Sequence, residues 1–122
     1  MGEGEEKRVH PRLSLDGSHT VRFELEGVVF RGVEMTNLSV GGIGIRMDIE
    51  DSLALVLGTV LRNLVLEHPL LPSVRVDAEI RHILGRHADR VSGPLFLGLQ
   101  FLNPPEVLVR QIEAFIEKRI HG

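Results

Sequence analysis

The strongest constraint on this chain is a run in which apolar and charged residues trade places at every step. Val74, Val76, Ala78 and Ile80 alternate with Arg75, Asp77, Glu79 and Arg81. A period of two sends the two sets to opposite faces of an extended strand, so one face is buried and the other meets water. Val21, Phe23 and Leu25 repeat the pattern against Arg22, Glu24 and Glu26, and Gly27 ends it. Strands written this way must hide their apolar face against another layer or by closing on themselves.

Other segments extend the reading. Residues 28–36 return beside the first strand, and 42–47 form a short strand with Ile43 and Ile45 on one face. Residues 59–67, 74–83 and 95–102 supply three more, separated by Pro69, Pro72 and the polar run 85–93. Residues 48–57 stay open: Asp48 to Asp51 suits a loop or a helix start, and Leu53 to Leu57 suits helix or strand, ended by Gly58.

The period then changes. Leu108, Ile112, Phe115 and Ile116 fall at the spacing of one helix face. Asn103 fits as N-cap, Pro104 as the first helical residue and Glu106 as the partner completing a capping box, with Leu102 and Val107 as a staple. Lys118 and Arg119 sit where cations favour the helix dipole. The expected fold is mainly β: a small six-stranded antiparallel, split-barrel-like β-barrel, its remaining opening covered by a C-terminal helix over 104–120. A sandwich would produce the same periodicity. Residues 1–13 read as a flexible arm in which Pro11 blocks regular structure, Asp16-Gly17 as a turn, and 14–122 as a single domain.

Composition narrows the function classes. A chain of 122 residues supports one core. The net charge of −3 argues against a general nucleic-acid binder, which needs a broad basic surface, but not against a small ligand that needs only a local cluster. Without cysteine there is neither disulfide nor thiolate chemistry. The acidic start Met1-Gly-Glu-Gly-Glu-Glu is unlike a secretory signal, and no apolar run approaches the ~20 residues that span a bilayer. A cytoplasmic protein with no membrane insertion is expected.

Two polar signatures remain. Arg8 and Arg12 stand four apart, with Lys7 just before them and Glu5 and Glu6 upstream. Arginine is planar, forked and always charged, so it matches phosphate oxygens and the O6 and N7 of guanine. Such a pair also suits an arm kept in solution by mixed charge. The second signature is Asn37-Leu-Ser39-Val-Gly41-Gly42. As a turn it offers Asx-type bonding at Asn37, a hydroxyl at Ser39, and glycines able to take positive φ and to expose backbone N–H groups to an anion. An ordinary tight turn between strands would look alike.

Taken together, the R-x-x-x-R arm at Arg8 and Arg12 and the [D/N]-x-S-x-x-G pattern at Asn37, Ser39 and Gly42 resemble the PilZ family of bacterial cyclic di-GMP receptors. Gly98-Leu-Gln-Phe101 resembles the G-x-x-F stretch of that family's last long strand, so the likeness covers nearly the whole chain. The resemblance implies that Arg8 and Arg12 contact phosphates and guanines of cyclic di-GMP. Asn37 and Ser39 would hold a guanine or phosphate edge, Gly41 and Gly42 would give room and backbone donors, and Gly98 would lie beneath the ligand. Lys7 occupies the position linked in the family to whether one ligand or a stacked pair binds.

The implied protein is a second-messenger receptor rather than an enzyme. It would have no other cofactor, no DNA or RNA partner, and an effector protein reading its ligand-bound surface. The alternative is an adaptor of the same fold that binds no nucleotide. Ser39 has no base partner at motif spacing, His82 and His87 lack a ligand framework and read as solvent histidines, and Asp48, Glu50 and Asp51 lack the calcium-loop periodicity. Neither a catalytic residue nor a metal ligand is expected. Oligomeric state stays open.

Overall fold

The structure, a computed structural model, describes residues 12–48, 55–71, 73–85 and 93–121. Its strands are β1 (Leu13–Ser14), β2 (Thr20–Leu25), β3 (Val28–Ser39), β4 (Gly42–Asp48), β5 (Val60–Glu67), β6 (Val76–Leu84) and β7 (Pro94–Leu102), followed by helix α1 (Glu106–His121). The sheet runs β3-β2-β5-β6-β7-β4, and β4 pairs back onto β3, so six antiparallel strands close a barrel. Closure decides between the barrel and the sandwich that periodicity left open. The six expected strands are all present, each within a few residues of its expected ends.

Alternation places the core. Val21, Phe23 and Leu25 of β2, Val76, Ala78 and Ile80 of β6, and Leu95, Leu97, Leu99 and Phe101 of β7 all point inward. Each of these side chains larger than Ala78 contributes on the order of 1.5–3 kcal/mol. The pattern breaks in β5, where Asn63 takes φ 52° and the register with β6 shifts between Leu61 and Leu64. Asp77 holds that bulge, accepting from the Asn63 backbone N–H and from Arg62, each at 3.1 Å.

Residues 1–11 of the expected arm over 1–13 lie outside the described residues, and its last residue, Leu13, is strand. Leu13 and Ser14 form β1 and pair with Leu38 and Asn37 of β3, and the Leu15 N–H donates to the Thr36 carbonyl at 3.0 Å. β2 leaves β3 at Glu34, so the rest of that edge needs a partner, and β1 supplies it. The turn at Asp16-Gly17 is present: Gly17 has φ +92°, and Asp16 accepts from the N–H and hydroxyl of Ser18. Those two donors, the hydroxyl first, hold the Asp16 carboxyl below its usual range.

The helix starts later than expected. Its first backbone bonds run from Leu108 and Val109 to the Pro105 carbonyl, so Pro105 takes the place assigned to Asn103, and Glu106 opens the helix instead of closing a capping box. A residue before proline is pushed out of helical conformation, which excludes Pro104 from the helix. Asn103 takes φ 47° as a left-handed corner, and Val107 is half-exposed. The apolar face is as expected, with Leu108, Ile112, Phe115 and Ile116 buried in the same core as the barrel interior.

α1 is clasped by rings. His19 and His68 stack with centroids 4.5 Å apart and planes 7° from parallel, and Phe115 meets both edge-on. Arg119 lies 4.6 Å from the centre of the Phe115 ring. Burial first, then the proximity of His19 and Arg119, pushes the His68 imidazole below its ordinary pKa.

Candidate functional site

Asn37-Leu-Ser39 is strand rather than turn. It forms the end of β3, leaving only Val40-Gly41 to reverse the chain into β4. Neither Gly41 nor Gly42 has positive φ. Gly42 is required for a different reason: a Cβ there would land on the Leu99 carbonyl oxygen of β7. The Gly41 carbonyl in turn accepts from the Phe101 N–H at 2.9 Å. These glycines let the β3–β4 hairpin press against β7, and what sequence reading took for ligand room is in part barrel closure. Ser39 is buried, with its hydroxyl donating to the Gly42 carbonyl at 3.3 Å.

The register then builds a row across four strands on the outer face. Asn37 of β3 lies opposite Gly44 of β4, Gly44 opposite Gly98 of β7, and Gly98 opposite His82 of β6. A Cβ on Gly44 would stand 2.5 Å from Asn37 Nδ2, and one on Gly98 would stand 3.1 Å from the His82 ring. The two glycines therefore let an amide and an imidazole lie down over the sheet. The result is a low polar shelf between taller neighbours. On one side stand Arg46, Phe96 and Leu84, in register with one another; on the other stands Gln100, bonded to Arg81 Nη1 at 2.6 Å.

Arg12 completes the shelf. Its Nη1 donates to Asn37 Oδ1 at 2.9 Å across 25 positions of sequence, with both groups reachable by solvent. β1 makes this possible, since pairing Leu13 with Leu38 and Ser14 with Asn37 draws the preceding arginine to the end of the row. Of the residues expected at the site, Arg12, Asn37 and Gly98 share the shelf, while Ser39, Gly41 and Gly42 form the adjoining hairpin. Lys7 and Arg8 lie outside the described residues.

Sequence reading missed Gly44, Arg46, Arg81 and His82. Arg46 and Arg81 add positive charge beside the shelf, Arg46 facing Glu34 at 3.9 Å with both side chains substantially exposed. His82 looked like a solvent histidine because only the register, with its shift between Ile80 and His82, sets it over Gly98. Among the described residues no three His, Asp or Glu gather closely enough to hold a metal, and no helix is long and apolar enough to cross a membrane.

A family model of the PilZ domain matches residues 6–118, and the chain belongs to that family. The fold is similar to that of K. pneumonia MrkH in complex with c-di-GMP, with a TM-score of 0.74 and 20% identity over 93% of this chain and 52% of that one. It is similar to the PilZ domain of YcgR from Escherichia coli, solved with c-di-GMP, with a TM-score of 0.71 and 18% identity over 92% and 90% of the two chains. The Bacillus subtilis inhibitor of motility MotI/DgrA matches with a TM-score of 0.66 and 20% identity, over 95% of this chain and 52% of that one. The chain thus spans about half the length of the MrkH and MotI/DgrA chains. Comparison with curated proteins finds no match.

Proposed function

We propose that this chain is a cyclic di-GMP receptor rather than an enzyme, and that the ligand lies on the shelf over β4 and β7. The observation that carries the reading is the Arg12–Asn37 hydrogen bond, which joins the two signatures at one exposed place. Membership of the PilZ family, and likeness in fold to two proteins solved with c-di-GMP, support the same ligand.

Arg12 offers a phosphate or guanine its remaining donors, and Asn37, whose Nδ2 already donates to Thr36 Oγ1 at 3.4 Å, keeps its second amide N–H for a base edge. The segment before Arg12, with Lys7 and Arg8, closes over the ligand. Ordering it costs ~1–2 kcal/mol per residue, and charge-assisted hydrogen bonds at ~1.5–3 kcal/mol each offset that. Because β1 already anchors Leu13 and Ser14, the closure begins at a fixed hinge instead of a free end. The closed arm makes a surface for an effector protein in the cytoplasm.

Calorimetric titration with cyclic di-GMP tests this. Arg8→Ala and Arg12→Ala are each expected to weaken binding about a hundredfold or more, with thermal unfolding unchanged. Wild-type affinity in both variants overturns the mechanism. No heat from the wild-type protein overturns the receptor and leaves the nucleotide-free adaptor in its place. Hydrogen exchange of residues 1–11 should slow on adding ligand if the arm closes.

A further inference from the structure

The shelf has an aromatic wall that neither signature contains. Of the five phenylalanines in this chain, Phe23, Phe101 and Phe115 are buried and Phe30 is partly covered, whereas Phe96 is 39% exposed. The chain has no tryptophan and no tyrosine, so Phe96 is its one exposed benzenoid ring. It stands on the outer face of β7, two residues before Gly98. Its cross-strand neighbours are Arg46 of β4 and Leu84 of β6, the latter 67% exposed. Leaving a ring and a leucine side by side in water forgoes the stabilisation that burying them would give.

Position says what would cover them. Phe96 and Gln100 lie four residues apart on the same face, roughly 13 Å along the strand, with only Gly98 between them on that face. The gap is floored by the amide of Asn37 and the imidazole of His82, and flanked by the cations Arg46 and Arg81. A flat, polar-edged aromatic ligand carrying anionic groups fits every wall: its face on Phe96, its edge on the shelf, its phosphates toward the arginines. A protein partner would bring side chains to the apolar pair but would have no use for the polar floor continuous with it.

We propose that Phe96, backed by Leu84, is a stacking wall for one purine base of the ligand, and so a further binding residue of this site. The inference rests on the nucleotide reading above and adds where a base lies. The base packs face to face with the ring, and Arg46 leaves Glu34 for a phosphate.

The absence of tryptophan gives a direct test, since Phe96→Trp introduces the sole indole of the protein. Cyclic di-GMP titrated into Phe96→Trp should quench its fluorescence along the same saturation curve as the calorimetric heat, whereas Val29→Trp, in the β2–β3 hairpin, should stay unquenched. Phe96→Ala and Phe96→Leu should each weaken binding about tenfold, with unfolding unchanged, and Phe96→Trp should bind at least as tightly as wild type. Heat from wild type with no quenching in Phe96→Trp and full affinity in Phe96→Ala overturns the wall and leaves the receptor standing. No heat from wild type overturns both. Full nucleotide affinity in Phe96→Ala together with lost effector binding overturns the wall and reassigns the patch to the protein partner.

Discussion

Beneath α1, His19 and His68 lie ring on ring, Phe115 closes on both, and Arg119 covers the outer side of Phe115. On the outer face of β4, β7 and β6 the same residue types recur as His82, Phe96, Arg46 and Arg81, but there they stand apart around Gly44 and Gly98. In the first region the side chains use one another as partners, so the contact fixes the helix to the barrel. In the second, two glycines take away the side chains that would have filled the middle. Identical chemistry thus becomes a clasp where it is packed and an open polar shelf where a space is kept. What separates them is backbone register and the placing of glycine, not residue type.

The comparison can be broken most severely at the clasp. Phe115→Ala removes a buried ring shared by two histidines and a guanidinium, and should cost about 3–5 kcal/mol of stability, measured by urea unfolding. Ligand affinity at temperatures where the variant is folded should hold; if affinity falls in step with stability, the regions are not separate.

The shelf should respond the other way. Gly44→Ala sets a methyl 2.5 Å from Asn37 Nδ2, which pushes the amide off the shelf and parts it from Arg12. Affinity for cyclic di-GMP should drop about a hundredfold, ~2.7 kcal/mol, while the melting temperature moves far less than in Phe115→Ala. A variant that binds as wild type would show that the Arg12–Asn37 bond has no part in recognition.

Acid should find the clasp before the shelf. His68 has its pKa lowered in the folded state by burial, by His19 and by Arg119, against about 6.5 when unfolded. Below about pH 6.5 the unfolded chain therefore binds more protons than the folded one at this position. Stability is full above that pH and declines as pH falls toward the lowered folded value. Melting temperatures from pH 8 to 5 should show this decline, and His68→Phe, which keeps a ring without a titrating nitrogen, should flatten it. The smallest effect belongs to the exposed Glu106–Arg110 pair at 2.7 Å: Glu106→Ala should cost only about 0.3–0.5 kcal/mol in unfolding and leave binding alone.

How far the sequence could be read follows from the range of the forces involved. Val76, Ala78 and Ile80 announced their burial because alternation is written in adjacent residues, and Leu108, Ile112, Phe115 and Ile116 announced theirs by helical spacing. The helix start was misjudged although the reason is also local: Pro105 bars Pro104, and the capping pattern at Asn103 drew attention from it. β1 has only two residues and no periodicity of its own, and it exists because β2 leaves part of β3 unpaired. At the site, Arg12 and Asn37 were legible as types. Gly44 and His82 were not, since nothing near them in sequence says that they face each other's neighbours across β7.

The amino-acid order by itself therefore determined which faces are apolar, how many long strands there are, where the helix buries, and which polar groups are present to bind. Those are matters of period and composition, decided within a few residues. Only the closed barrel decided that Gly42 must admit the Leu99 carbonyl, that Ser39 serves a hairpin, and that Arg12, Asn37, Gly44, Gly98 and His82 fall into one line. Register is set by the sum of pairings around the whole sheet, because a slip of one residue would turn every buried side chain outward.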